Sequence, residues 1–214
     1  MMAKAMRIPS NFYNKRSLTL ASASAVRKRL LQEAGLEVKV VPSHVDEAAV
    51  RETLLSGEDM VAPDDVAEIL ARTKADDVSQ RANTSVLIAA DQVLYFDGKI
   101  FEKPSDMDEA RANLLSFSGH MHTLHSAVVV VVDGKAIWSH VDVARIWIRH
   151  ISPEFVGRYL ARFGKSVLAS VGCYELEGLG VHLIEKIEGD YFTVLGLPLL
   201  PLLDALRERD IIDS

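Results

Sequence analysis

The stretch LTLASASAVRKRLLQEAGL, residues 18–36, joins a short apolar run to an amphipathic segment. The run Leu18–Ala21 predicts a strand, and small hydroxyl residues follow it. A helix is predicted over Ser24–Ala34, because apolar side chains recur there at helical spacing, and Gly35 stops it. The apolar positions of this helix are Val26, Leu30, Leu31 and Ala34.

Three cations, Arg27, Lys28 and Arg29, stand near the start of that helix, where the helix dipole is already partly positive. A strand, a loop of hydroxyl residues and a helix N-terminus together form an anion site, because free N–H groups and the Ser22 and Ser24 hydroxyls can all donate to a phosphate. The alternative is that Ser24 only caps the helix and that the cations form a solvated face.

The remaining pattern predicts a mixed α/β fold with an elongated sheet, long antiparallel hairpins and two lobes. Two hairpins turn at Asp97-Gly98 and Asp133-Gly134, and a strand pair is predicted within Gly178–Tyr191. Further strands are predicted at 37–41 and 85–91, and further helices at 63–77, 106–119, 152–163 and 198–207. Residues 1–17 are predicted to be a flexible lead-in, and residues 18–214 a single domain.

Composition restricts the partners. The chain has 214 residues and a formal net charge of −6, which disfavours general binding to DNA or RNA polymers. Its longest apolar runs are too short to span a bilayer, so no membrane association is expected. A single cysteine, Cys173, and the lack of a secretory signal predict a cytoplasmic location.

Asp91 ends the buried apolar strand SVLIAAD, residues 85–91, and Lys103 follows the first hairpin. A carboxylate and a lysine that face one cleft suit phosphoryl chemistry, which needs an oriented nucleophile and neutralised charge. The alternative is a turn aspartate and a surface lysine. Taken alone, Glu47 and Lys74 are typical of ordinary surface residues.

The histidines show no metal-binding spacing. His120, His122 and His125 are predicted to form a half-exposed strand rim rather than a ligand set. Cys173 has no histidine partner in its local sequence, which argues against a nucleophilic role.

Several stretches, taken together, resemble the Maf family of nucleoside triphosphate pyrophosphatases. No single stretch is specific, but they follow the family's order and spacing from Leu18 almost to the end of the chain. The stretches are LASASAVRKRLL, VDE at 45–47, LARTKA at 70–75, AADQV at 89–93, FEKP at 101–104, the segment 109–128 and the segment 172–199.

This resemblance implies a fold similar to that of inosine triphosphate pyrophosphatases, with a cleft between two lobes. It implies hydrolysis of a nucleoside triphosphate between the α and β phosphates with a divalent cation, Mg²⁺ or Mn²⁺, as a house-cleaning reaction on modified nucleotides. Asp91 and Lys103 would be catalytic, and Glu47 and Asp91 would bind the metal. The triphosphate would be held by Ser22, Ser24, Arg27, Lys28 and Lys74.

Three positions separate substrate branches within the family. The branch that acts on dTTP and UTP typically has Arg, Thr and Gln there, and the 7-methyl-GTP branch has Trp, Gln and Glu. This chain has Val26, Gln92 and Glu177, so two positions match the second branch. Val26 departs from it because valine cannot stack on a base as tryptophan does. Ala25 replaces the proline of the family's loop.

Two alternatives stay open beside a 7-methyl-GTP pyrophosphatase. One is an enzyme that acts on dTTP and UTP or on a broad range of triphosphates. The other is a nucleotide-binding regulator of cell division without catalysis. The resemblance also implies a homodimer.

Overall fold

The computed structural model describes residues 14–57 and 61–213. In this part of the chain seven strands form one sheet, flanked by seven α-helices. The strands are β1 (Leu18–Leu20), β2 (Val38–Val40), β3 (Val86–Phe96), β4 (Lys99–Phe101), β5 (Met121–Val132), β6 (Lys135–Ile148) and β7 (Ile184–Glu188). The helices are α1 (Ala25–Glu33), α2 (Glu47–Leu55), α3 (Pro63–Arg81), α4 (Met107–Phe117), α5 (Pro153–Phe163), α6 (Tyr191–Val194) and α7 (Leu199–Glu208).

The sheet is mixed, with strand order β2-β1-β3-β5-β6-β7 and β4 paired to β3. Strand β1 is parallel to both neighbours, whereas the other pairs are antiparallel. The two predicted hairpin turns are confirmed, because Asp97-Gly98 and Asp133-Gly134 both have positive φ angles. Such turns match the right-handed twist of the strands that they join. The predicted mixed α/β class is therefore confirmed.

Two separate cores produce the two lobes. Near its start, β3 is covered on one face by α1 and α7 and on the other by α3, and these residues form the first lobe. Near its end, β3 packs with α4 and α5 around the fully buried Phe117, which forms the second lobe. The long strands β3, β5 and β6 run through both lobes, so the middle of β3 lies between them.

Three local predictions were wrong or incomplete. Helix α2 was not predicted; its apolar side chains Val50 and Leu54 pack against the core around α3 but are only partly buried. The segment Gly178–Tyr191 contains one strand instead of a pair, since Leu179–Leu183 forms a 3₁₀ helix and β7 pairs with β6. Helix α3 also continues four residues beyond its predicted end, to Arg81.

The described end of the predicted lead-in, residues 14–17, lies against the C-terminal segment. Asn14 forms a β-bridge with Ile212, and the Lys15 N–H donates to the carbonyl of Ile211 at 3.1 Å. Residues 1–13 lie outside the described part of the chain. Among the described helices, none combines the length and the apolar character needed to cross a membrane.

The predicted histidine rim is wrong for His122 and His125, which are buried. His122 lies in the core of the second lobe, with Nε2 at 2.7 Å from the Tyr174 hydroxyl and Nδ1 without a partner. Burial lowers the pKa of His122 to about 4. In the unfolded chain this histidine has an ordinary pKa near 6.5. Between pH 4 and pH 6.5 the unfolded state therefore binds more protons than the folded state.

The free energy of unfolding is therefore expected to fall as pH drops from about 6.5 to about 4, by roughly 3 kcal/mol from this residue. Urea unfolding at several pH values in this window measures the slope. His122→Gln should flatten it, whereas the same change at the exposed His44 should not. An equally steep loss in the His122 variant and in the unaltered protein would contradict this assignment.

Candidate active site

A cleft of about 620 Å³ opens between the two lobes. Its walls come from the loop after β1, the middle of β3, the segment after β4 and the segment 169–177. This volume lies in the range that holds a small-molecule ligand. The cleft contains every predicted site residue except Lys28; these residues are Ser22, Ser24, Val26, Arg27, Glu47, Lys74, Asp91, Gln92, Lys103 and Glu177.

The loop after β1, which is predicted to bind an anion, is held by hydrogen bonds among its own groups. Ser24 caps α1, because its side chain accepts a hydrogen bond from the Arg27 N–H at 3.3 Å. The Ser22 hydroxyl is buried and accepts from the Ser24 N–H at 3.3 Å. Ala25 is the first residue of α1, a position where proline is also favoured, so its replacement of the family's proline leaves the loop able to form.

Arg27 crosses the floor of the cleft and is buried. Its Nε donates to the carbonyl of Gly196 at 2.7 Å, and its Nη1 donates to the carbonyl of Ala90 at 2.8 Å and to the Ser22 hydroxyl at 3.1 Å. Burial lowers its pKa, although Asp91 and Glu47 act in the opposite direction. Arg27 thus joins α1 to β3 and to the loop before α7, and its Nη2 is the terminal nitrogen left for a ligand.

The other two cations of α1 point elsewhere. Lys28 is exposed and is not among the residues that line the cleft. Arg29 donates through both terminal nitrogens to Glu177, with Nη1 at 3.0 Å from Oε1. The structure therefore separates the three cations, with one buried, one exposed and one paired to a carboxylate of the second lobe.

Asp91, Lys74 and Glu47 form a buried ionic cluster on one wall. Asp91 is 4% exposed, and its Oδ1 accepts from the Lys74 ammonium, which also lies 2.7 Å from Glu47 Oε1. The second oxygen of Asp91, Oδ2, is buried and has no partner. Burial raises the pKa of Glu47, but Lys74, Lys103 and Arg51 outweigh it and leave the pKa below its usual range.

Arg51 is a cleft residue that the sequence did not indicate. It lies on α2, 3.6 Å from Glu47, and its Nε donates to Glu102 at 2.6 Å. Glu102 directly precedes Lys103, so this contact ties α2 to the segment that carries the exposed Lys103. No sequence signal marked Arg51, because α2 was itself not predicted.

The three predicted base-selecting residues lie in the cleft on different elements. The Gln92 amide donates to the Ser126 hydroxyl at 2.9 Å and to the carbonyl of Thr193 at 3.0 Å. Glu177 is held by Arg29 and by the Tyr191 hydroxyl at 2.9 Å, and the Arg29 contact is the main cause that lowers its pKa. Val26 is half-buried on α1 and adds an apolar surface.

The donor set fits a divalent cation that is shared with a phosphate ligand. Glu47 and Asp91 supply two carboxylates, and the orphaned Oδ2 of Asp91 is a buried acceptor that needs a partner. Among the described residues, no group of three His, Cys, Asp or Glu side chains is placed to hold a metal. Mg²⁺ is commonly bound by one or two carboxylates together with substrate phosphates.

Cys173 is fully buried, and burial raises the pKa of its thiol to about 12. A thiol in this state is a poor nucleophile at neutral pH, because the thiolate is the reactive form. This agrees with the prediction that Cys173 takes no part in the chemistry.

Comparison with known proteins identifies the relatives of the chain. The sequence model of the family described as Maf-like protein matches residues 17–209. A 7-methyl-GTP pyrophosphatase from Mesorhizobium japonicum is 49% identical, with 92% of this chain and 98% of that protein covered. A nucleoside triphosphate pyrophosphatase from Caulobacter vibrioides is also 49% identical, with 89% and 94% covered.

Among solved structures, one match is a nucleoside-triphosphatase described as a dITP/XTP pyrophosphatase from Mycobacterium abscessus. The alignment covers 90% of this chain and 97% of the Mycobacterium abscessus chain. Its sequence is 18% identical, with a TM-score of 0.38. The family match spans nearly the whole described chain, including every residue of the cleft. The chain therefore belongs to the Maf-like protein family.

Proposed function

We propose that this protein hydrolyses a nucleoside triphosphate between the α and β phosphates, releasing a nucleoside monophosphate and pyrophosphate. The observation that carries the proposal is the unpartnered Oδ2 of Asp91, buried beside Lys74 in a cleft that is also lined by the Ser22–Ser24 loop. Membership of a family whose relatives carry the name nucleoside triphosphate pyrophosphatase supports it.

In the proposed reaction a water molecule attacks the α phosphorus. Asp91 Oδ2 accepts a hydrogen bond from this water and takes its proton as the new P–O bond forms. The bond between the α phosphorus and the bridging oxygen breaks, and pyrophosphate leaves with the electron pair. Arg27 Nη2, the Ser24 hydroxyl and Lys103 stabilise the charge on the phosphate oxygens.

Glu47 and the Asp91 carboxylate would hold a divalent cation, Mg²⁺ or Mn²⁺, together with the phosphates, which would supply further neutralisation of phosphate charge and leave Asp91 Oδ2 to accept the water proton. Lys28 is exposed outside the cleft lining, so its part in triphosphate binding is limited to long-range attraction. Lys74 is already paired with two carboxylates, which leaves it little capacity for the triphosphate.

We further propose 7-methyl-GTP, or a similar modified purine nucleotide, as the preferred substrate. The name of the relative from Mesorhizobium japonicum supports this preference. A Glu177 carboxylate can accept hydrogen bonds from the N1–H and the exocyclic amine of guanine, and its negative charge offsets the positive charge of a methylated base. The cytoplasmic location and the homodimer stay predictions.

Glu177→Gln is expected to shift preference from the methylated purine toward pyrimidine triphosphates, because the amide keeps the size but loses the negative charge. The ratio of kcat/KM values for 7-methyl-GTP and UTP should fall by at least ten-fold. Glu175→Gln, a change at a neighbouring cleft residue, is the matched control and should leave the ratio unchanged. An unaltered ratio in the Glu177 variant would remove this residue from base selection.

A substrate panel tests the proposed function directly. The purified protein is incubated with Mg²⁺ or Mn²⁺ and each of the ordinary and modified nucleoside triphosphates, and pyrophosphate is detected. Release of pyrophosphate with the matching monophosphate is the expected result. If no triphosphate is cleaved while nucleotides still bind, the non-catalytic regulator is the correct interpretation.

A further inference from the structure

Lys74 occupies the space between the two carboxylates that would bind a metal. Its side chain is 7% exposed, and its ammonium contacts Asp91 Oδ1 and lies 2.7 Å from Glu47 Oε1. The ammonium therefore already neutralises part of the negative charge that would attract a cation. A lysine buried this deeply is stable only when it is paired.

A divalent cation that approached the free protein would meet an unfavourable site. It would be repelled by the Lys74 ammonium and would find one uncommitted buried acceptor, Asp91 Oδ2. Arg51, 3.6 Å from Glu47, adds to this repulsion. Removal of water from Mg²⁺ also costs free energy, and two carboxylates that are already paired with a lysine compensate for little of that cost.

A triphosphate changes this balance. It brings several negative charges and oxygen ligands into the cleft, beside the Ser22–Ser24 loop and Arg27. With those ligands present, Glu47 and Asp91 need to supply only part of the coordination, and Lys74 can stay in place.

We propose that Lys74 is a resident counter-cation that excludes divalent metal from the free protein, so that metal binds together with the triphosphate. This inference rests on the metal role in the proposed function, but it makes a claim about binding that is independent of turnover.

The experiment measures Mn²⁺ binding by electron paramagnetic resonance of the free ion, at low ionic strength, on the full chain. The unaltered protein alone should bind Mn²⁺ weakly. Mn²⁺ binding is then measured with the protein alone, with an α,β-methylene nucleoside triphosphate alone, and with both together. The mixture should bind Mn²⁺ at least ten-fold more tightly than either component measured separately. Both measurements use the unaltered protein, so they decide the order of binding even if a variant fails to fold.

Lys74→Met tests the role of the residue itself. Loss of the ammonium frees both carboxylates, so Mn²⁺ should bind the variant alone at least ten-fold more tightly than it binds the unaltered protein. Lys28→Met is the control: it removes an exposed cation that does not line the cleft, and its effect should be under three-fold. Circular dichroism and thermal unfolding establish that each variant is folded, and Lys74→Gln replaces Lys74→Met if the latter is not.

Two results would overturn the inference. One is tight Mn²⁺ binding by the unaltered protein without nucleotide, and the other is a folded Lys74 variant whose Mn²⁺ affinity is no higher. Failure of the proposed function is a separate result: no pyrophosphate would be released from any triphosphate, whether Mn²⁺ binds weakly or tightly.

Discussion

Asp91→Asn should lower the rate of pyrophosphate release by about 10²–10⁴-fold while triphosphate binding persists. Asparagine keeps the size of the side chain and can still accept a hydrogen bond from Lys74 through its amide oxygen. It places an NH₂ group, which cannot take a proton from water, where the unpartnered Oδ2 lies. The loss should therefore fall on kcat more than on the affinity for nucleotide.

The measurement combines a pyrophosphate assay with calorimetric binding of an α,β-methylene triphosphate. Asp64→Asn is a suitable control, because Asp64 pairs with His125 and does not line the cleft. Retention of near-normal turnover by the Asp91 variant would exclude this carboxylate as the proton acceptor.

Arg27→Met should reduce the free energy of unfolding by about 2–4 kcal/mol, since two buried carbonyl groups lose their donor and each such loss typically costs about 1–3 kcal/mol. The variant should also lose activity, because the loop of Ser22 and Ser24 and the loop at Gly196 are no longer joined. The effect is large because one side chain joins three elements around the cleft.

Denaturant unfolding of Arg27→Met beside Lys28→Met gives the comparison. Lys28 is the next residue and is exposed, so its replacement should leave stability unchanged. Equal stability of the two variants would mean that the hydrogen bonds of Arg27 contribute nothing net to folding.

The cleft position of Asp91 was easier to predict than the surroundings of the α1 cations. Asp91 was predicted to end a strand at residues 85–91, but β3 continues to Phe96, so Asp91 lies in the middle of the strand and still faces the cleft. The resemblance assigns two of the three consecutive cations of α1, Arg27 and Lys28, to the triphosphate. The structure separates them, because successive residues of a helix point about 100° apart and meet different surroundings.

Other features were beyond the reach of local patterns. Helix α2 carries Glu47 and Arg51, and its contact with the core is limited to Val50 and Leu54, so its apolar period is short. The burial of Lys74 depends on Glu47 and Asp91, which lie 27 and 17 residues away along the chain. Pairings of this kind depend on how α2, α3 and β3 pack, and no window of neighbouring residues contains that information.

The contact between Arg29 and Glu177 has a consequence for how a nucleotide enters. Arg29 belongs to the first lobe, whereas Glu177 follows Leu176, which packs on the second lobe, so the pair bridges the two. Both side chains are substantially exposed, at 41% and 32%, and ion pairs of this kind contribute little and weaken as salt rises. This ion pair therefore holds the two lobes together only weakly, and a nucleotide that contacts Glu177, as proposed, would break it at little cost. Under the proposed function, entry and release of the nucleotide would then depend on the nucleotide's own contacts with Glu177 and on ionic strength.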